Sequence, residues 1–452
     1  MRKNFVFIGL LILLILIESL SSTAQTKFNS KGIDSLLNYF FTNNKMMGSI
    51  TIAKNDKIQY NHSFGYTEIT DQLKLPSDSK TKYRIGSITK MFTSVMIFQL
   101  IEEKKLNLNT PLAKFFPAIS NANKITIADL LDHHSGLHNF TNDNSYHEWE
   151  TKPKTEKEML ELFGHEKSDF QPGEKAEYSN TNYVLLGYII EKITGDTYSN
   201  ELRKRILDKI HLKNTYYGHK INPQNDEAFS YSFKDGLWRE EPETDMSIPG
   251  GAGSIVSTPE DLIKFINALF QGKLIDKKSL NKMMTLKDNI GMGIFRFPFN
   301  KRYAFGHTGG IDGFASFLAY FPDDSTSIAF CSNGINYEFN DILIGALSLY
   351  YNIPYRFPDF KTINMPVKKL MKFEGIYSSS ALPLVITIKL QGNVLTAQAT
   401  NQSSFDLTPI RENEFTFDPA GITITFIKSK EGQYNDFNLK QGGGTFLYRR
   451  QK

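Results

Sequence analysis

Ser87-Ile88-Thr89-Lys90 opens the stretch that decides the fold, and Met91-Phe92-Thr93-Ser94-Val95-Met96-Ile97-Phe98-Gln99-Leu100-Ile101 continues it. From Ile88 to Ile101 the run is apolar nearly all round, the pattern of a helix buried on every side. Residues three apart share a helix face, so the Ser87 hydroxyl and the Lys90 amine can meet there. A lysine on the first turn of a buried helix is costly unless it is paired or neutral. Desolvation lowers the pKa of such a lysine and suits it to act as a base beside a nucleophile. The spacing alone is weak, since Ser77/Lys80, Ser79/Lys82 and Ser279/Lys282 fit it equally well. Ser77 and Ser79 follow Pro76 in a polar turn, and Ser279 begins a polar segment near Lys277 and Lys278. Only Ser87 opens a buried run.

Two further motifs have a similar standing. Tyr178-Ser179-Asn180 follows the turn Gln171-Pro172-Gly173 and precedes a helical pattern over residues 184–193. A tyrosine can relay a proton, and an asparagine amide can hold a substrate carbonyl. The same triplet recurs at Tyr198-Ser199-Asn200, where Ser199 or Asn200 reads as a helix cap. His307-Thr308-Gly309-Gly310 ends a β-like run, and its paired glycines let another backbone or a ligand approach closely. His134-Ser135-Gly136 fits the same loose template but lies in a loop after residues 127–131. Asp132, His133, His134, His138 and His147 are close in sequence, yet no His-Glu-x-x-His pattern accompanies them. Neither a metal nor a cofactor is expected.

Strand patterns flank this region. Residues 49–53 and 58–64 read as a hairpin around Lys54-Asn55-Asp56-Lys57, after a helical pattern over residues 30–41. From Ser87 to about Asn289 the patterns are mostly helices and loops. Strands return at 291–297, 303–307, 314–321 and 327–331, followed by an apolar helix over 339–351. The two strand groups can share one antiparallel sheet, giving an α+β domain with an all-helical insertion. After a Pro-containing linker (353–371), residues 372–452 carry short alternating runs separated by turns, the signature of a small antiparallel barrel or sandwich.

Composition narrows the class. The chain has 452 residues, 40% hydrophobic and 22% charged, which excludes collagen, low-complexity disorder and a disulfide-stapled miniprotein. One cysteine, Cys331, cannot form an internal disulfide or a Cys-based metal site. The net charge of +4, with no clustered basic face, gives no reason to expect nucleic acid. Arg2 and Lys3, the apolar run 5–17 and Ser22-Thr23-Ala24 read as a secretory signal over residues 1–24. The mature chain is then exported, periplasmic or secreted, with a first domain over 25–352. No later stretch has the length and apolarity of a membrane helix.

Together and in this order, Ser-x-x-Lys, Tyr-x-Asn and His-Thr-Gly resemble the serine β-lactamase and penicillin-binding protein superfamily. The closer resemblance is to the class C β-lactamase and D-alanyl-D-alanine carboxypeptidase branch, peptidase S12, where Tyr-x-Asn replaces Ser-Asp-Asn. Leu130-Leu131-Asp132-His133-His134-Ser135-Gly136-Leu137, the segment from Gly250 to Ser257, and Gly309-Gly310-Ile311-Asp312-Gly313-Phe314 are similar to that branch too. The resemblance covers about residues 30–352 and implies a β-lactamase-like antiparallel sheet flanked by helices. It implies a serine hydrolase that forms an acyl-enzyme on Ser87, with Lys90 and Tyr178 sharing the proton transfers. The backbone N–H groups of Ser87 and Gly310 would form the oxyanion hole. Asn180, His307, Thr308 and Gly309 would hold the substrate, His307 and Thr308 at its carboxylate or leaving group. D-amino-acid peptides, peptidoglycan stem peptides among them, or small esters are the implied substrates. Class C β-lactamases usually carry lysine where this chain has His307, which disfavours the β-lactamase alternative. A non-catalytic peptidoglycan-binding protein is a third reading. The C-terminal module resembles the lipocalin-like modules of related peptidases and esterases.

Overall fold

The computed structural model describes residues 28–441 and 444–451. The segment read as an export signal lies outside them. Among the described residues, no helix is long and apolar enough to cross a membrane.

Six strands form an antiparallel path in the order Phe295–Phe299, Arg302–Ile311, Phe314–Phe321, Thr326–Ile335, Met46–Lys54 and Lys57–Phe64. The N-terminal hairpin therefore joins the late strands across Met46–Lys54 and Thr326–Ile335, with Ile50 opposite Phe330. Both faces of this sheet are covered, and the period-two alternation of strands divides its side chains between two cores. Ile328 and Phe330 pack with Leu36, Leu37 and Ala346 of the terminal helices Ser30–Thr42 and Phe339–Tyr350. Ala329 and Cys331 turn the other way, into the core built by the inserted helices. The strand between them is consequently buried almost along its whole length.

The insertion is less uniformly helical than its sequence suggests. A hairpin of Tyr231–Lys234 and Leu237–Glu240 pairs with the sheet beside Gly334. Its signal is Asp235-Gly236 between alternating residues, a turn dipeptide suited to tight hairpins. Three short strands, Tyr83–Arg84, Ile255–Ser257 and Tyr216–Tyr217, form a second small sheet. The helix at Tyr198–Leu202 is capped by Thr197, which accepts from the Asn200 N–H, and not by Ser199 or Asn200.

Residues 375–450 close into an eight-stranded antiparallel barrel in which Tyr377 pairs with Arg450. Two of its strands, Gly375–Ser378 and Phe405–Arg411, were not legible as strands: one has four residues and the other contains Pro409. Tyr377, Phe415, Phe426, Phe437 and Tyr448 are fully buried inside it. Phe373, from the turn Met371–Phe373, lies 4.5 Å from the Phe426 ring and helps fill the interior. The barrel meets the first domain through Lys45, whose ammonium lies 2.7 Å from Asp418 and over the Phe360 ring.

Candidate active site

The strand Tyr83–Arg84 hands the chain to Gly86 at φ +50°, the left-handed region that glycine enters without penalty. A 3-10 turn over Gly86–Ile88 then leads into the helix Thr89–Glu102. From Thr81 to Leu100 every residue is buried except Ser87. Ser87 is thus the one residue of this buried segment that reaches the surface, where it lines a cleft.

Lys90, fully buried, brings its Nζ to 3.0 Å from Ser87 Oγ, 2.8 Å from Asn180 Oδ1 and 2.9 Å from the Ala252 carbonyl. Burial holds its pKa well below the usual lysine value. Two of its neighbours, Asn180 Oδ1 and the Ala252 oxygen, can only accept. A neutral amine has two N–H bonds for them and one lone pair left for the Ser87 hydroxyl. Tyr178 donates to Ser87 Oγ from the other side at 2.7 Å. Burial pushes its phenol well above the usual range, with the Ser87 bond opposing, so the proton stays on the oxygen. Tyr178 and Asn180 are placed by the start of the helix Asn180–Thr194. The Asn180 amide nitrogen is itself held by Thr141 Oγ1 at 3.0 Å.

Two imidazoles lie beside Tyr178. His133 stacks on its ring with centroids 4.5 Å apart. Its Nδ1 accepts from the Ser179 N–H at 3.1 Å, so a neutral ring carries its proton on Nε2. His307 approaches from the other strand system, 6.4 Å between centroids, and packs against Phe295. Its Nδ1 faces the Thr308 carbonyl, which only accepts, leaving Nε2 as a buried acceptor with no partner. Burial and then the neighbouring Lys90 hold the His307 pKa down at about 3, and the same two causes lower that of His133. Both rings are neutral at ordinary pH.

Ser87, Asn180 and Gly310 line one cleft of about 410 Å³. The strand carrying Gly309 and Gly310 presses against the Ser87 turn. A Cβ on Gly309 would stand 2.0 Å from the Ile85 carbonyl oxygen, and one on Gly86 would stand 2.8 Å from the Gly310 nitrogen. Ser316 fastens this contact by donating to the Ile85 carbonyl at 2.8 Å. Behind it, Arg84 pairs with Asp312 at 2.8 Å, both almost fully buried.

The structure therefore brings Ser87, Lys90, Tyr178, Asn180 and Gly310 together. His307 lies beside this group, 6.4 Å from the Tyr178 ring, but neither it nor Thr308 lines the cleft wall. His307 is 1% exposed, on the buried side of its strand against Phe295 and Tyr178, and Thr308 is exposed but does not line the cavity. Gly309 serves the contact with Ile85 rather than the cleft surface. The Ala252 carbonyl, Thr141 and the stacked His133 were missed as parts of the site. Ala252 and His133 lay in quoted motifs, but backbone carbonyls and ring stacking leave no trace in residue spacing. Among the described residues, no group of three His, Cys, Asp or Glu side chains is placed to hold a metal ion.

Residues 45–344 match the β-lactamase family. The chain belongs to it. Teichoic acid D-alanine hydrolase of Staphylococcus aureus (strain MRSA252) is 27% identical over 267 residues, 59% of this chain and 64% of that protein. The chain thus spans just under two thirds of that relative's length. Penicillin-binding protein 4* of Bacillus subtilis (strain 168) is 27% identical over 339 residues, covering 69% of this chain and 74% of its own. A D-amino acid amidase from Ochrobactrum anthropi SV3, solved with D-phenylalanine, superposes with a TM-score of 0.64 at 26% identity. That likeness covers 71% of this chain and 98% of the amidase. This chain and the amidase share one fold over that stretch.

Proposed function

We propose that this protein is an exported serine hydrolase that cleaves amide or ester bonds of D-amino-acid derivatives through an acyl-enzyme on Ser87. The observation that carries the reading is the position of Ser87 Oγ, 3.0 Å from a deprotonatable buried amine and 2.7 Å from a protonated phenol, at the wall of an open cleft. Ser87 Oγ attacks the carbonyl carbon as its proton passes to the Lys90 lone pair. The oxyanion that forms is met by the N–H groups of Ser87 and Gly310, each such donor worth about 3 kcal/mol in the transition state. The C–N or C–O bond then breaks as the Tyr178 phenol protonates the leaving atom, and the Lys90 ammonium returns a proton to Tyr178. Water then attacks the ester carbon and gives its proton to the same pair; the bond to Ser87 Oγ breaks, the pair returns that proton to Oγ, and the acid leaves. Asn180, held by Thr141, orients the substrate amide.

The D-amino-acid class is supported by relatives named as a D-alanine hydrolase and a D-amino acid amidase. Export is supported by residues 1–24 alone. The β-lactamase alternative is disfavoured because the family's fixed cation is replaced by a buried, neutral His307. Mixing the protein with a fluorophosphonate and with benzylpenicillin, and following intact mass, tests the reading. A fluorophosphonate adduct lost in Ser87→Ala is expected. Failure to label refutes it, and rapid consumption of penicillin makes the protein a β-lactamase despite His307.

A further inference from the structure

One residue brackets Tyr178. The N–H groups on either side of it, those of Glu177 and Ser179, donate to the His133 carbonyl at 2.9 Å and to His133 Nδ1 at 3.1 Å. The imidazole also lies along the phenol ring, with the two planes 29° from parallel. His133 is 1% exposed and sits at φ +61°, a left-handed conformation that a β-carbon disfavours and that surrounding bonds must hold. On its far side the His134 N–H donates to the Asp129 carbonyl at 2.9 Å, and the His134 carbonyl accepts from the Gly173 N–H at 2.8 Å. The acceptor role of Nδ1 is set twice. Asn182 Oδ1 accepts from Ser135 Oγ at 2.6 Å, which turns the Asn182 amide nitrogen toward His133 Nδ1, 3.3 Å away. Nδ1 therefore faces two donors and carries no proton. Burial, and then Lys90, hold the His133 pKa well below the usual value, which keeps that lone pair open. Neither ring nitrogen is hydrogen-bonded to Ser87, Lys90 or the Tyr178 hydroxyl among the described residues. The influence of His133 on the reaction therefore runs through Tyr178.

We propose that His133 is the positioning residue of Tyr178: its bonds to the N–H groups of Glu177 and Ser179 fix the backbone that carries the phenol, and its ring backs the phenol, so that the hydroxyl is held 2.7 Å from Ser87 Oγ. The next residues have anchors of their own. Ser179 Oγ donates to the His138 carbonyl at 3.3 Å, and the Asn180 N–H donates to Asn139 Oδ1 at 2.9 Å. Removing the His133 ring thus frees Tyr178 while Asn180 stays tied. The step that suffers is the one that uses the phenol, transfer of its proton to the leaving atom. A misplacement of about 1 Å costs such a step on the order of 100-fold.

This inference rests on the reading in which Tyr178 protonates the leaving atom of a serine hydrolase, and its test separates the two. The full chain is assayed with D-alanine amide, whose leaving nitrogen needs a proton, and with D-alanine p-nitrophenyl ester, whose nitrophenolate leaves without one. His133→Gly suits φ +61° and removes the ring with its acceptor. His133→Asn tolerates the same conformation and puts an amide oxygen in the place of Nδ1. His133→Gly should lower the amide-to-ester ratio of kcat by about tenfold or more, whereas a residue needed only for stability would slow both substrates alike. His133→Asn should keep the ratio within about threefold of the wild type. Tyr178→Phe should lower the ratio too, and adding His133→Gly to it should lower the ratio no further. Fluorophosphonate labelling of Ser87 reports an intact site in each variant. A ratio unmoved in His133→Gly, an equal fall in His133→Asn, or a double variant in which the two falls multiply overturns the inference and leaves the hydrolase reading standing. Should His133→Gly not fold, His133→Ala takes its place with the same expected fall. A ratio unmoved in Tyr178→Phe, or no turnover of the amide by a wild-type chain that labels, removes the acid role of Tyr178 and this inference with it. A wild-type chain that does not label overturns the hydrolase reading as well.

Discussion

Replacing Gly309 with alanine tests whether the contact between strand and nucleophile turn sets the catalytic geometry. Gly309 has ordinary strand dihedrals, so the substitution carries no backbone penalty of the left-handed kind. What it meets is steric. The new Cβ would lie 2.0 Å from the Ile85 carbonyl oxygen and 2.3 Å from Ser316 Oγ, the two atoms whose hydrogen bond fastens strand to turn. Real Cβ contacts stay above 3.0 Å, so the backbone before Ser87 or the strand must withdraw by about 1 Å. Overpacking of this sort costs about 1–3 kcal/mol of stability. Its effect on rate is larger, because the Ser87 and Gly310 N–H groups lie on the two elements being parted. A displacement of about 1 Å costs on the order of 100-fold in rate, close to the loss of one oxyanion donor. The expected result is a folded Gly309→Ala protein with kcat reduced about 100-fold on an activated ester and KM little changed. Steady-state kinetics with a thermal melt on the same sample measure both. A variant with wild-type melting and kcat within about threefold would refute the proposed oxyanion geometry.

Ser87→Ala should abolish acylation, read as the missing adduct in intact mass after fluorophosphonate treatment. The pH profile of kcat/KM should rise along a limb set by Lys90, well below the ordinary lysine value, and Lys90→Met should be inactive with no such limb. An ascending limb near pH 10 would speak against Lys90 as the base. Folding stability should fall as pH drops from about 6.5 towards 3, because unfolding frees His307 to bind a proton that its folded site rejects. One such proton contributes a slope of about 1.4 kcal/mol per pH unit, and urea melts of His307→Gln should show a correspondingly shallower fall. Arg84→Met strands the buried Asp312 carboxylate and should cost about 3–5 kcal/mol in the same melts.

The sheet and the barrel were legible because alternation and turn residues write themselves into short windows. The split sheet followed from strand groups at both ends of the helical region, and Met46–Lys54 does pair with Thr326–Ile335. The meeting of Ser87 and Lys90 at 3.0 Å was legible on a different ground: a run buried all round leaves a buried lysine to explain. The hairpin at Tyr231–Lys234 and Leu237–Glu240 was passed over because it lies inside a helical region and makes only an edge contact with the sheet. Tyr178, Asn180 and Gly310 could be named but not placed, since nothing in the spacing says that residues 91 and 90 positions apart meet within 3 Å. The direction of His307 was the least legible feature. A one-residue change of register would turn it from the buried face to the exposed one.

That orientation decides more than a packing detail. Lys90, His133 and His307 are three basic side chains gathered around one phenol, and burial opposes a charge on each of them. A charge on Lys90 would further lower both imidazoles, so the cluster favours the state in which none is protonated. The proton available to a leaving group is then the one on Tyr178, whose own loss burial opposes. A lysine at position 307 could carry its charge out toward an anionic substrate, whereas an imidazole locked behind Tyr178 has no such reach. The buried, neutral His307 therefore bears on the site through the cluster around Tyr178 and offers an anionic substrate no fixed charge.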